Sequence, residues 1–291
     1  MSELMNNLVF GIAYLILAPV IGGLLAGIDR IITARMQRRV GPPLLQPFYD
    51  VLKLTEKQEI AVNLVQDFYV GGFLLFVMIS GIFFFTQGDI LLVVFTLTLA
   101  SVCLIVAAYS SNSPYSQIGA ERELIQTMSY EPMLLMVAIG FYLATGTFSL
   151  SEIMHGHAAG IIFLPGVFLG LVYILGIKFR KSPFDLSMSH HAHQELIKGT
   201  VTEFSGKTLA MVEVAHWYEN IFLLGFVYLF FVWSAGWSVF LGLLACALVF
   251  FFEILVDNCC SRIKWQALLK SSWLVSLIAG FINLLVLMYM R

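Results

Sequence analysis

Long apolar runs alternate with connections that carry nearly all of the charge in this sequence. Hydrophobic residues make up 59% of the chain and charged residues only 12%, against about 25% charged residues in an average soluble domain. A helix needs about 20 apolar residues to cross the hydrocarbon core. The sequence predicts an all-α, polytopic membrane protein with about eight spans near Leu8–Ile28, Phe68–Thr86, Ile90–Tyr109, Pro132–Thr147, Ile161–Ile177, Leu209–Trp233, Trp237–Val256 and Trp273–Tyr289.

The cations lie in alternate connections. All of the 16 Lys and Arg residues except Arg291 lie in the first, third, fifth and seventh connections. Cytoplasmic loops of membrane proteins carry an excess of Lys and Arg. We therefore expect both termini on the outside, and a single membrane domain over residues 1–291 with cytoplasmic loops near 29–67, 110–131, 178–208 and 257–272.

The first connection combines a basic stretch with an amphipathic pattern. Arg35, Arg38 and Arg39 follow the first apolar run, and such residues can bind lipid phosphates. After a Gly-Pro-Pro break, apolar residues around Phe48 recur at helical spacing, with Asp50 and Lys53 among the charged residues opposite. This pattern predicts an amphipathic helix at the membrane surface. It could also support a soluble partner.

The third connection is acidic. Glu121, Glu123 and Glu131 accompany one cation, Arg122. Glu131 precedes Pro132, which predicts a position at a helix start, where the helix dipole favours a carboxylate. The connection is either a solvated acidic loop or the entrance to an ion path.

The sixth apolar run contains ionisable residues. Glu213, His216 and Asn220 share one helical face, whereas Glu219 lies on another. An ionisable residue at the centre of a span costs at least about 2.5 to 3.5 kcal/mol and is by default a candidate for function. Alternatively, these residues lie near the end of the span and reach water. Near the end of the seventh run, Glu253 and Asp257 could pair with Lys264 or Arg262, or extend the same polar path.

The fifth connection contains half of the six histidines. His190, His191 and His193 lie between Asp185 and Glu195, and Glu203 follows. Their spacing matches no standard zinc signature, and the four cysteines show no C-x-x-C pair. We therefore expect no metal or cofactor in this chain. Histidine titrates near neutral pH, so the segment is a hydrogen-bonded cluster, structural or proton-buffering, or a docking surface.

Three sequence blocks together resemble one family. They read R-x-x-R-R-V-G-P-P with Q-x-x-x-D-x-x-K-L, G-A-E-R-E-x-x-Q-x-x-S-Y-E-P, and S-P-F-D-L followed by E-L-x-x-G-x-x-x-E-F-S-G. In this order the chain resembles the complex I subunit that forms the membrane half of the quinone chamber. Homologues of that protein occur in energy-converting nickel–iron hydrogenases and in formate hydrogenlyase.

The segment after P-F-D-L indicates the branch of that family. It reads SMSHHAHQ, whereas the quinone enzymes carry a short acidic segment there. The chain therefore resembles the integral-membrane subunit of an energy-converting hydrogenase of the Ech or archaeal membrane-bound type. This resemblance implies a non-catalytic subunit in the cytoplasmic membrane of a bacterium or archaeon. Its partners would be hydrogenase large and small subunits carrying the nickel–iron centre, an iron–sulfur subunit, antiporter-like membrane subunits and, indirectly, ferredoxin, with no nucleic acid.

The resemblance also implies roles for particular residues. An H⁺ or Na⁺ path would include Glu121, Glu123, Glu131, Asp185, Glu195, Glu203 and Glu213, to which the span pattern adds His216. Docking of the soluble subunits would involve Arg35, Arg38, Arg39, Asp50, Lys53, His190, His191 and His193. The alternatives are a quinone-reducing complex I subunit, a stand-alone transporter and a passive anchor such as that of formate hydrogenlyase.

Overall fold

The protein is an all-helical bundle. The computed structural model describes residues 2–58, 64–188, 196 and 198–290, and no strand occurs in them. Within these residues, seven helices are long and apolar enough to cross a membrane: Val9–Met36, Val65–Phe85, Ile90–Tyr109, Pro114–Thr145, Gly206–Phe231, Ser238–Cys259 and Trp265–Met290. The predicted all-α, polytopic membrane fold is confirmed.

The structure confirms that the first connection contains a helix. Helix α1 spans Ser2–Met36, and the short helix α2 spans Gln46–Glu56. Helix α2 packs on α1 and α9 (Gly206–Phe231). The ring of Phe48 contacts Trp217 of α9 edge-on at 5.2 Å. A Cβ atom at Gly23 of α1 would collide with that phenylalanine ring. The close approach of α2 to α1 therefore requires glycine at this position.

Helices α3 (Leu64–Phe85) and α4 (Ile90–Tyr109) form a tightly packed hairpin. Helix α4 has the bounds predicted for the third apolar run. It begins there because the Asp89 carboxylate accepts a hydrogen bond from the Leu91 amide at 2.9 Å. Such N-terminal capping satisfies one of the amides that a helix start leaves without an intrahelical partner.

Helix α5 corrects the prediction for the third connection. It spans Pro114–Thr145 without interruption and ends at Gly146, whose φ is 90°. Residues 114–131 are therefore helical rather than a loop, and Glu131 lies in mid-helix rather than at a helix start. The helix continues through Pro132 because the carbonyl of Met128, which proline cannot engage, accepts a hydrogen bond from the Trp273 indole at 3.2 Å.

Helix α1 tolerates a proline in the same way. Pro19 lies inside the helix and leaves the carbonyl of Leu15 without its usual amide donor. The hydroxyl of Tyr218, on α9, donates to that carbonyl at 2.7 Å. Each internal proline is thus matched by an aromatic donor from another helix, as a span in a water-free environment requires.

The fifth apolar run is broken rather than continuous. After the short helix α6 (Leu150–Met154), helix α7 spans Gly160–Phe163 and helix α8 spans Pro165–Lys178. Because of this break, α8 is shorter than the seven full-length spans. The Asn283 side chain supplies hydrogen-bond partners to the backbone groups at the break. Its oxygen accepts from the amides of Gly166 (2.9 Å) and Val167 (3.1 Å), and its nitrogen donates to the carbonyl of Phe163.

The core of the bundle lies around α9. This helix packs against α1, α2, α3 and α10 (Ser238–Cys259), and Phe222, Phe226 and Phe230 are fully buried along it. The chain ends with α11 (Trp265–Val275), a π-helical turn over Ser276–Phe281 and α12 (Ile282–Met290). Asn283 lies in α12, and its hydrogen bonds to Gly166 and Val167 hold the start of α8 in place in the bundle.

Candidate functional site

The C-terminal end of α8 directs three cations to different neighbours. Helix α8 ends at Lys178, and Arg180 adopts a left-handed conformation with φ of 53°. The Lys181 amide donates back to the Gly176 carbonyl at 3.1 Å, which is the bonding pattern of a Schellman motif. The chain reverses sharply here, so the side chains of Lys178, Arg180 and Lys181 leave the helix end towards separate partners.

Lys178 is buried inside the bundle. Its ammonium group lies 2.9 Å from a carboxylate oxygen of Glu219 on α9, and the two side chains are 5% and 4% exposed. It also donates to the Ser101 hydroxyl at 3.3 Å and lies 4.2 Å from the centre of the Tyr130 ring. The ammonium group of Lys178, at the end of α8, therefore contacts side chains of three other helices, α4, α5 and α9.

Arg180 pairs with Glu123 of α5. Its guanidinium lies 3.1 Å from the Glu123 carboxylate, contacts the His216 ring and interacts electrostatically with Glu219. Burial alone would lower the pKa of Arg180, but Glu123 and Glu219 raise it above its usual value, so the residue stays charged. We call Glu123, Lys178, Arg180 and Glu219 the balanced cluster, because two cations face two carboxylates.

Lys181 belongs to a second group. Its ammonium lies 2.5 Å from Asp29 of α1 and 3.7 Å from Asp257 of α10. The Asp257 carboxylate also accepts from the Ser182 amide at 2.7 Å. Asp257 thus pairs with Lys181, and not with Lys264 or Arg262, which the sequence offered as one alternative.

Asp185 and Glu253 complete this second group. Arg262 approaches Asp185 at 3.8 Å. Glu253 is 3% exposed and interacts electrostatically with Lys181 and Asp257. We call Asp29, Lys181, Asp185, Glu253, Asp257 and Arg262 the acid-rich cluster.

The structure separates the predicted path residues into buried and peripheral ones. Glu123 and Asp185 are buried, and half-buried His216 contacts Arg180. Glu131, also half-buried, interacts electrostatically with Lys178. Glu121 is exposed, whereas Glu203 and Glu213 are half-buried and belong to neither cluster. Glu195 lies outside the described residues.

Five of the eight predicted docking residues lie at the end of the bundle where α1 ends, which we call the basic end. Arg35, Arg38, Arg39 and Lys53 are exposed there. Asp50 pairs with Arg30 at 2.6 Å and accepts from Gln46 at 2.9 Å. Partial burial alone would raise the pKa of Asp50, but the hydrogen bonds from Arg30 and Gln46 hold it below its usual value. His190, His191 and His193 lie outside the described residues.

Sequence reasoning named Arg262 but missed the other three cations of the two clusters. It counted Lys178, Arg180 and Lys181 as loop residues, although Lys178 directly follows an apolar run. It did not name Asp29, and it left the partner of Glu219 open. The available signal was that a charged residue within one helical turn of the end of an apolar run can still belong to the helix and face the bundle. Within the part of the chain that the structure describes, no group of three His, Cys, Asp or Glu side chains is placed to hold a metal ion.

Comparisons with known proteins agree with this architecture. The NADH dehydrogenase family matches residues 9–288. Hydrogenase-4 component C of Escherichia coli is 29% identical over 220 residues, covering 70% of this chain and 69% of its own. The NADH-quinone oxidoreductase H subunit of Bacillus cytotoxicus is 31% identical over 254 residues, covering 79% and 74%.

A solved structure is also similar over almost the whole chain. It is a chain of the membrane-bound sulfane sulfur reductase, an archaeal respiratory membrane complex, with a TM-score of 0.84 and 26% identity. The match covers 97% of this chain and 100% of that one. This chain therefore belongs to the NADH dehydrogenase family, as a membrane protein homologous to the H subunit of NADH-quinone oxidoreductase and to component C of hydrogenase-4.

Proposed function

We propose that this chain is the membrane-anchoring and ion-coupling subunit of a ferredoxin-dependent energy-converting hydrogenase. The observation that carries the proposal is the balanced cluster, in which Lys178 and Arg180 at the end of one short helix pair with carboxylates of α9 and α5. The similarity to hydrogenase-4 component C supports the hydrogenase branch.

Buried ion pairs of this kind are costly to build. Desolvation of each charge costs several kcal/mol and is offset only by close pairing. A passive anchor could be built from apolar side chains at lower cost, whereas an ion-conducting protein needs charge inside the bundle. The cost therefore favours an active role for the balanced cluster over the passive-anchor alternative.

The mechanism that we infer is electrostatic. Arg180 interacts with both Glu123 and Glu219, and it lies on the segment that connects α8 to the basic end. A movement of that segment would change the distance of its guanidinium from both carboxylates. Since each carboxylate lies in a low-dielectric environment, a small displacement changes the affinity of the carboxylate for a proton. Redox events in attached subunits could thus drive ion movement.

The basic end would carry the soluble partners. Exposed Arg35, Arg38, Arg39 and Lys53, together with α2, form a charged shelf there. The partners would hold the nickel–iron centre and the iron–sulfur clusters, and antiporter-like subunits would adjoin the bundle in the membrane. In this arrangement the basic end faces the cytoplasm of a bacterium or archaeon, and both termini lie outside.

The first test uses the tagged, detergent-purified native complex supplied with reduced ferredoxin. Hydrogen evolution, quinone reduction and reduction of sulfane sulfur are measured side by side. Hydrogen evolution without the other two supports the proposal. Quinone reduction alone would replace it with a complex I-type role. Sulfur reduction alone would favour a complex like the archaeal reductase, whose chain matches over its full length.

A further inference from the structure

The acid-rich cluster holds more carboxylates than cations. Among the described residues, Asp29, Asp185, Glu253 and Asp257 surround two cations, Lys181 and Arg262. Lys181 is shared between Asp29 and Asp257, and Arg262 faces Asp185. A buried carboxylate without a partner is so costly that the group takes up a proton instead. The excess of negative charge among these residues therefore favours a proton on the carboxyl group that is buried and has no ion pair.

Glu253 is the carboxyl group with the least support for a negative charge. It is 3% exposed, and within the described residues it has neither a hydrogen bond nor an ion pair. One of its carboxyl oxygens lies 3.0 Å from the position that a Cβ atom at Gly176 would take, and the Phe184 ring lies 3.1 Å from the same position. The residue therefore points a carboxyl group into a mostly apolar space between α8 and α10.

Asp257 lies one helical turn from Glu253, nearer the basic end. Its side chain is 24% exposed, and that of Asp29 is 27% exposed. Four residues along a helix correspond to a rise of about 6 Å, so a single water molecule could bridge the two carboxyl groups. Asp257 can therefore exchange protons with water at the basic end and with Glu253 inside the bundle.

We propose that Glu253 is a proton-binding site that is loaded and emptied through Asp257. A proton from water binds a carboxylate oxygen of Asp257 and then moves to Glu253, which leaves Asp257 negatively charged again. Lys181 keeps its own protons and biases the transfer. When its ammonium lies nearer Asp29, as in the structure, Asp257 more readily accepts a proton.

This inference deepens the proposed function, because it names the proton as the ion that this cluster handles. Hard cations such as Ca²⁺ and Mg²⁺ are held by several oxygen ligands around one point. Within the described ranges, no group of three His, Cys, Asp or Glu side chains is placed to hold a metal ion. A proton needs only one carboxyl group, which Glu253 supplies.

The test is infrared spectroscopy of the detergent-purified native complex at neutral pH, without turnover. The spectra of wild type and Glu253→Gln are subtracted. We expect the variant to lack one carbonyl band of a protonated carboxylic acid, and Glu253→Asp to retain such a band. Glu152→Gln, which changes an exposed carboxylate outside both clusters, should leave the protonated-acid region unchanged. If Glu253→Gln instead lacks the band of an ionised carboxylate and keeps every band of a protonated carboxylic acid, the proposal is overturned.

A second variant tests the path even if Glu253→Gln does not assemble. Asp257→Asn keeps Glu253 but removes its proton donor. We expect the Glu253 band to exchange with deuterated water about 100-fold more slowly, the low end of what a positioned proton donor contributes. Unchanged exchange would contradict the role of Asp257. Neither experiment uses ferredoxin, hydrogen or ion uptake, so its outcome is separate from that of the proposed function.

Discussion

The two buried clusters use the same residue types in opposite ways. In the balanced cluster, each carboxylate has its own cation, and the paired side chains are 4–13% exposed. In the acid-rich cluster, the carboxylates outnumber the cations among the residues that the structure describes, and two of those carboxylates reach water. The charges of the first cluster are thus paired and shielded from water, whereas part of the second cluster is open to water, as the proton exchange that we propose for it requires. Substitutions in each cluster test this difference. An uncharged hydrogen bond and an exposed ion pair serve as references.

The largest effect is expected from Arg180→Met. This change leaves Glu123 buried without its cation, which costs about 3–5 kcal/mol. Denaturant titration of the purified complex should show a loss of stability of that size, or the complex should fail to assemble. Lys53→Met, an exposed cation, is the matched control and should change the free energy of unfolding by less than about 0.5 kcal/mol. Equal effects of the two changes would contradict the balanced cluster.

A smaller effect is expected from Lys181→Met. Asp29 and Asp257 lose their cation but reach water and can take up protons, so the loss should be about 1–3 kcal/mol. The loss should also shrink as the pH falls, because protonation removes the uncompensated charge. Unfolding measured between acidic and neutral pH checks both points. A loss as large as that of Arg180→Met would mean that the two clusters do not differ.

Tyr218→Phe provides a neutral reference for both clusters. It removes the hydrogen bond to the Leu15 carbonyl that Pro19 leaves free without changing any charge. The expected loss is about 1 kcal/mol, independent of pH below the range in which tyrosine titrates. A strongly pH-dependent loss, measured by the same unfolding titration, would show that this tyrosine is coupled to the clusters.

The smallest effect is expected from the exposed pair of Arg30 and Asp50. Both side chains are more than 40% exposed, and such pairs contribute at most about 1 kcal/mol. Since the pKa of Asp50 is lowered, its contribution is present above about pH 4 and is lost as the pH falls through the lowered pKa. Unfolding curves of wild type and Asp50→Asn should therefore converge at low pH. A difference that persists there would exclude the ion pair as its cause.

Much of the fold follows from the sequence because apolar length decides whether a helix spans the membrane. Helix α4 matches its predicted bounds, since Asp89 supplies a cap at the boundary. The break before α8 and the continuity through Pro132 could not be predicted. Each depends on a distant side chain, Asn283 in one case and Trp273 in the other.

The site was less predictable than the fold. The sequence indicates the span that holds His216 and the connections that hold Glu123 and Asp185, but not their partners. Counting cations as loop residues placed Lys178 in water, whereas it is the last residue of α8 and pairs with Glu219 inside the bundle. The groups that Lys178 contacts lie on α4, α5 and α9. Local patterns alone carry no signal for such distant partners.

The most direct test of the central claim is a double variant, Lys178→Met with Glu219→Met, in the native complex. Replacing both partners of a buried pair with apolar residues is often neutral for stability, so the complex should assemble. Reconstituted in liposomes, it should still transfer electrons but take up no ions for each electron pair. Unchanged ion uptake per electron pair in an assembled complex would show that the balanced cluster does not couple redox chemistry to ion movement.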